Sequence, residues 1–265
     1  MSGTIVTTSH KPDAETLTAA RDAAAVLGIE FVERNRMSLV GLRQNYGAEN
    51  ILVINREQIK LYTPLGECFF HPSMSIPRIK AIRQGKPDHM VEAMDPKPGD
   101  SVLDCTLGLA ADAIVAATVV GPGGRVVGIE TSPELAFMVK HGLAEYGKGS
   151  PSLREAMSRI EVVCGDSGQY LAEQAANSFD IVYFDPMFRF PRTKSSSMQP
   201  LRGIVNSEPL NSEMINDALR VARKLVVMKE NEFSREFARL GFSRVLGGKY
   251  SPVAFGVIDK QEAEV

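Results

Sequence analysis

From Ser101 to Ile258, short runs of Val, Ile and Leu alternate with stretches that carry helix-capping residues. A chain ordered in this way buries its strands in a parallel sheet covered by helices. Strands are expected at Ser101–Cys105, Arg125–Glu130, Ile160–Cys164, Phe179–Phe184 and Leu225–Met228. Helices are expected over Asp112–Val119, from Ser132-Pro133-Glu134 onward, over about Gly168–Gln174, from Asn211 to about Lys224 and over Glu232–Leu240. The last two runs, Phe242–Leu246 and Val253–Ile258, are joined by so short a turn that they must be antiparallel.

A seam with two prolines and a glycine, Met94-Asp95-Pro96-Lys97-Pro98-Gly99-Asp100, precedes this region. It divides the chain into a small α+β domain over 1–95, an α/β domain over 96–260 and a tail over 261–265. In the first part, a helix from Pro12 closes at Gly28, a second runs from Ser38 to Gly47, and a third, basic one covers Ile76–Gln84. Ile29–Val32 reads as a short strand, and Ile51–Asn55 and Ile59–Thr63 as a hairpin.

The 265 residues include no run near the roughly 18 apolar residues of a membrane span. The N-terminus lacks the charged start and apolar core of a secretory signal. Three cysteines without CxxC spacing and four scattered histidines argue against a disulfide framework or a metal site. They point to a reducing, cytoplasmic setting. Cys105 and Cys164 are expected to be small buried hydrophobes inside strands.

In an open α/β sheet, ligands sit beyond the carboxyl ends of the strands. The first strand ends in Asp104, followed by Thr106, Gly108 and Asp112, with Gly108 suited to a tight turn. The GxGxxG dinucleotide fingerprint is absent, which disfavours a dehydrogenase. The second strand ends in Glu130 and Thr131, the third in Gly165-Asp166-Ser167. Carboxylates after three successive strands suit a ligand with a ribose diol, an amine and a positive charge rather than a diphosphate. This layout resembles that of class I methyltransferases, which implies S-adenosylmethionine as cofactor. Its contacts would come from Asp104, Thr106, Gly108, Asp112, Glu130, Thr131, Asp166, Ser167 and Asp185.

The fourth strand runs into Asp185-Pro186-Met187-Phe188. The tetrapeptide resembles the (Asn/Asp)-Pro-Pro-(Tyr/Phe) motif of enzymes that methylate exocyclic amino groups. Such a nitrogen has its lone pair delocalised into the ring. Acceptors on Asp185 and on the backbone at Pro186 can hold its protons so that the lone pair points at the methyl. The proline fixes the turn, and Phe188 can stack on the base. These four residues are the candidate catalytic set.

Three segments carry a narrower resemblance. Val102-Leu103-Asp104-Cys105-Thr106-Leu107-Gly108-Leu109-Ala110-Ala111-Asp112-Ala113, Tyr183-Phe184-Asp185-Pro186-Met187-Phe188 and Ala222-Arg223-Lys224-Leu225-Val226-Val227-Met228-Lys229 are similar to motifs of the small-subunit ribosomal RNA guanine-N2 methyltransferase J family. The turn Gly248-Lys249-Tyr250 is also similar. A family glycine is Ala110 here, and the proline that follows the family's Phe is displaced to Pro191. The resemblance implies a Rossmann-like class I methyltransferase fold: a mostly parallel seven-stranded sheet with a terminal antiparallel hairpin. It also implies methylation of guanine N2 in ribosomal RNA.

Two acid-free basic segments fit an RNA partner: Arg189, Arg192, Lys194 and Arg202 after the Asp-Pro turn, and Arg78, Lys80, Arg83 and Lys86 before the seam. Neither a membrane nor a metal is implied, and a homodimer stays open. The alternatives are a methyltransferase for a small molecule or protein, and a non-catalytic RNA-binding module that keeps the pocket.

Overall fold

The local rules place most helix starts. Asp13, Ser38, Asp88, Ser132, Ser150, Asp166 and Asn211 each accept a backbone N–H from the first turn of the helix that follows. Gly28 and Gly47 close two helices in the left-handed conformation. The computed structural model describes residues 3–186, 200, 209–248 and 251–263.

The N-terminal part begins with a strand that the sequence reading does not anticipate, β1 (Thr4–Thr8), followed by α1 (Ala14–Leu27), β2 (Glu30–Phe31), α2 (Leu39–Tyr46), β3 (Asn50–Ile54), β4 (Ile59–Thr63) and β5 (Gly66–Phe69). They form a sheet ordered β2-β1-β3-β4-β5, with β1 parallel to β2 and β3 and the last three strands antiparallel. Two helices, α3 (Ser75–Arg83) and α4 (His89–Met94), lead to the seam.

Beyond the seam come β6 (Ser101–Asp104), α5 (Ala111–Val120), β7 (Arg125–Glu130), α6 (Pro133–Glu145), α7 (Pro151–Ser158), β8 (Ile160–Cys164), α8 (Ser167–Glu173) and β9 (Phe179–Phe184). After them follow α9 (Ser212–Val221), β10 (Ala222–Asn231), α10 (Glu236–Arg239), β11 (Arg244–Gly247), β12 (Val253–Asp259) and α11 (Lys260–Ala263). The seven strands order as β11-β12-β10-β9-β6-β7-β8, with β12 antiparallel to both its neighbours.

Three expectations are corrected. The helix from Asn211 stops at Val221, because Ala222 is already extended and pairs with Phe179, so β10 is longer than the apolar run alone suggests. The stretch 232–240 is helical only over α10. Cys164, at the last position of β8, is exposed; only Cys105 of the pair is buried.

Packing ties the parts on either side of the seam together. One core contains Val6, Leu52 and Leu61 of the small sheet, Ile79, Met90 and Met94 of α3 and α4, and Val102, Ile181 and Val227 of the large sheet. A second core covers the opposite face of the large sheet with Leu103, Val182 and Phe184. Between the two sheets runs α6, where Thr4 Oγ1 donates to Glu134 Oε1 at 2.6 Å and Phe70 lies against Gly142. A Cβ on Gly142 would stand 2.5 Å from Phe70 Cβ, too close for a side-chain rotation to relieve. Gly142→Ala is therefore expected to lower stability by about 1–3 kcal/mol, read as a lower urea midpoint at unchanged m-value.

Candidate active site

The parallel strands β6, β7, β8 and β9 deliver their carboxyl ends to one edge of the large sheet. Asp104 ends β6 and is 2% exposed. It accepts from the backbone N–H of Thr106 at 3.0 Å and from its hydroxyl at 3.3 Å. The same hydroxyl accepts the backbone N–H of Asp185 at 2.5 Å, so Thr106 staples the ends of β6 and β9 together. Burial, with the Asp112 and Asp185 charges adding to it, pushes the Asp104 carboxyl up to about 7 despite the Thr106 hydrogen bonds.

Gly108, at φ +50°, curls the loop so that its N–H reaches Glu130 Oε2 at 3.1 Å. The other Glu130 oxygen accepts from Ser132 N at 2.9 Å. The Thr131 backbone N–H also bears on this carboxylate. Burial raises the Glu130 pKa, and the N–H donors only partly offset it. Ala110 stands at φ +61°, a left-handed position that a glycine takes without strain, and it is the position where the resembled family has glycine.

Alongside lies a cavity of about 360 Å³ lined by Cys105, Thr131, Asp166 and Ser167 from the strand ends and by Leu210 and Met214 around the start of α9. Its size falls in the range of small-molecule sites. Asp166 spends one oxygen capping α8 through Gln169 N, at 2.9 Å. Among the described residues the lining holds carboxylates at Asp166, Glu213 and Asp217 and no Lys or Arg. Acceptors without cations suit a positively charged nucleoside and not a phosphate. The Cys105 thiol, buried beside this cavity, is pushed well above its usual range by burial and by Asp104, which removes it as a nucleophile.

Across the face covered by α3, α4 and α5 sits a group that the sequence reading only half identifies. Lys229, at the carboxyl end of β10, donates to Asp185 Oδ2 at 2.7 Å and to Asp112 Oδ2 at 3.1 Å. Tyr183 of β9 donates its hydroxyl to Asp112 Oδ2 at 2.8 Å. Arg78 of α3 binds Asp112 Oδ1 and grips Asp88 with Nε at 2.7 Å and Nη2 at 2.9 Å. Burial opposes ionisation of Asp112, but Lys229 and Arg78 together hold its carboxyl well below the usual range. Asp185 is raised, chiefly by burial, with Lys229 opposing and Asp112 adding to the shift. Lys229 itself is raised: burial disfavours its charge, and the two aspartates outweigh that.

The expected site residues therefore divide. Asp104, Thr106, Gly108, Glu130 and Asp185 come together at the ends of β6, β7 and β9, and Thr131, Asp166 and Ser167 line the cavity. Asp112, expected among the cofactor contacts, has both oxygens taken by Arg78, Lys229 and Tyr183. Arg78, expected at an RNA surface, is committed to two carboxylates. Lys80 and Arg83 are exposed, and Arg83 donates to Ser152 Oγ at 2.8 Å. Pro186 follows Asp185 in the described turn; Met187, Phe188, Arg189, Arg192, Lys194 and Arg202 lie outside the described residues.

Lys229 and Tyr183 are the residues missed. A lysine closing the apolar run Leu225–Met228 was the available signal: Met228 pairs with Phe184, so the next residue falls level with Asp185. For Tyr183 the signal was a phenol in an otherwise apolar buried strand, where its hydroxyl needs a partner.

The strand order, the reversed β12, the tight turn after β6 and the carboxylates after β6 and β7 define a class I S-adenosylmethionine (SAM)-dependent methyltransferase. The profile of the family described as "Putative SAM-dependent methyltransferase" matches residues 37–248, and the chain belongs to that family. It is an enzyme with SAM as its cofactor. The chain is 38% identical over 255 residues to the uncharacterized protein YpiP of Bacillus subtilis (strain 168), covering 96% of this chain and 98% of that one. It is 36% identical over 133 residues to ribosomal RNA small subunit methyltransferase J of Laribacter hongkongensis, covering 48% and 45% of the two chains, so that this match spans about half of each. The protein of the same name from Dechloromonas aromatica is 29% identical over 192 residues, covering 71% and 76%. The crystal structure of the SAM-dependent methyltransferase NGO1261 from Neisseria gonorrhoeae has the same fold, with a TM-score of 0.65 over 97% of this chain and 96% of that one at 17% identity. Among the described residues no helix is long and apolar enough to cross a membrane, and no group of three or more His, Cys, Asp or Glu is placed to hold a metal ion.

Proposed function

We propose that this enzyme methylates an exocyclic amino group of a nucleobase in RNA, with guanine N2 of ribosomal RNA as the target. The observation that carries the reading is the Asp185-Pro186 turn. Its aspartate has one oxygen held by Lys229 at 2.7 Å and its backbone N–H held by Thr106. Among the described residues Lys229 is bonded to Oδ2, and in this reading Oδ1 accepts a proton of the incoming amine. The relatives named ribosomal RNA small subunit methyltransferase J support the RNA part of the reading.

In this reading Glu130 takes the ribose hydroxyls of the cofactor, Asp166 and Ser167 face its adenine, and Asp104 with the Thr106–Gly108 turn faces its amino-acid end. Bound there, SAM supplies a methyl group activated by a sulfonium. Asp185 and the backbone at Pro186 orient the amine for in-line attack, and positioning of this kind is worth on the order of 7–11 kcal/mol. No general base is needed before transfer, because the nitrogen gives up its proton after it becomes cationic.

The test is mass mapping of ribosomal and transfer RNA nucleosides from cells with and without the protein. Loss of one N2-methylguanosine from small-subunit RNA is the expected result, and unchanged RNA would refute the reading. Lys80 and Lys86 are exposed, and in this reading they contact the RNA backbone. Changing both to Glu is expected to weaken RNA binding across sequences. The log–log salt slope should become shallower by about 0.7 for each single-strand phosphate that is no longer neutralised, as measured by fluorescence anisotropy.

A further inference from the structure

Five side chains from five elements stand in a row of alternating charge: Asp88 capping α4, Arg78 on α3, Asp112 on α5, Lys229 on β10 and Asp185 after β9. The row starts ahead of the seam and ends at the acceptor. Its side chains are mostly withdrawn from solvent, at 10% exposure for Asp88 and Asp112, 25% for Arg78, 23% for Lys229 and 27% for Asp185. A buried charge left without its partner is costly, so each member constrains the next. We propose that Lys229, backed by Asp112 and Arg78, is a positioning residue that keeps Asp185 ionised and turned with Oδ1 toward the amine, which makes α3 and α4 part of the reaction site. The inference rests on the reading of Asp185 as the amine's acceptor.

The chemistry requires this control. A protonated Asp185 would present an O–H to the nitrogen and compete for the lone pair that must meet the methyl. Left to its surroundings, Asp185 tends toward that form, because it is partly withdrawn from solvent and has Asp112 and Asp104 for anionic neighbours. The Tyr183 hydroxyl is turned to Asp112, and Thr106 binds the Asp185 backbone and not its carboxylate. Lys229 is the one cation bonded to the Asp185 carboxylate among the described residues. Its second bond, to Asp112, fixes where the ammonium sits, and Arg78 holds Asp112 from the far side. A bridge serving only to clamp helices to the sheet would also lower the Asp185 midpoint, but the acid limb of kcat would not follow that midpoint.

The first measurement needs no substrate. In full-length protein labelled with carboxyl-¹³C aspartate, the Asp185 signal is assigned by its loss in Asp185→Asn and titrated by NMR. In Lys229→Met the midpoint is expected to rise by about one pH unit or more, the size of shift an opposite charge at this distance confers. Lys229→Arg should restore most of it, and Arg78→Gln should move it the same way by less. In methyl transfer from SAM the acid limb of kcat should follow these midpoints, while the Kd for SAM at pH 8 stays within about threefold, a change of well under 1 kcal/mol. Equal midpoints in wild type and folded Lys229→Met would overturn the proposal; should that variant not fold, equal midpoints in Arg78→Gln would do so. Failure of the wild type to methylate RNA would count against the RNA reading alone, since the carboxylate titration is independent of it.

Discussion

Asp185→Ala is expected to slow methyl transfer by about 10²- to 10³-fold, the scale seen when one preorganised electrostatic partner is removed from a reacting centre, with SAM affinity nearly unchanged. The geometry separates the two effects. Asp185 lies at the end of β9 against Lys229, whereas the cavity proposed for SAM is lined by Cys105, Thr131, Asp166 and Ser167 and by the start of α9. Its removal still leaves Lys229 bonded to Asp112 at 3.1 Å, so no buried ammonium is stranded and the fold should survive. Tritium transfer from SAM to RNA from cells lacking the protein gives the rate, and calorimetry gives the affinity. A loss of SAM affinity that matched the loss in rate would move Asp185 from the acceptor's side of the reaction to the donor's.

Glu130→Ala is expected to do the reverse, weakening SAM binding by about 10- to 100-fold. A buried pair of ribose hydroxyls without an acceptor costs about 1–3 kcal/mol. The variant also orphans the N–H groups of Gly108 and Ser132, which Glu130 accepts at 3.1 and 2.9 Å. The tight turn after β6 should loosen with it, and the unfolding midpoint should fall. Glu130→Gln separates the effects by retaining bulk and one acceptor oxygen. Because burial raises the Glu130 pKa, the folded protein binds this proton more tightly than the unfolded chain does. The wild type should therefore lose stability relative to Glu130→Gln as pH rises through the window just above the ordinary glutamate value. A difference that grew in the wild type's favour over that window would contradict the assignment.

The strand ends were legible because a parallel sheet fixes where function must lie. Once β6, β7 and β9 were placed, Asp104, Glu130 and Asp185 followed from sequence position, and the structure holds them at one edge. The end of α9 was not legible, since Ala222-Arg223-Lys224 suits a helix as well as a strand, and pairing with Phe179 decides it. Nor was the fate of Arg78. A basic helix ahead of a linker looks like a solvated surface until the tertiary fold brings Asp88 and Asp112 to its guanidinium. Asp112 stands out in the sequence as a carboxylate after the first strand, but its partners come from 34 residues upstream and 117 downstream. No local pattern encodes such separations.

The core shared by α3, α4 and both sheets has a practical corollary for anyone dissecting this enzyme. Cutting at the proline-rich linker would strip Met90 and Met94 from the large sheet's apolar face and leave Asp112 without its guanidinium partner. A catalytic fragment beginning at 96 should aggregate, and grafting a foreign recognition module at that joint should yield an inert chimera. Swaps upstream of Ser75 would have to keep Val6, Leu52, Leu61 and Phe70, which share that core with the large sheet.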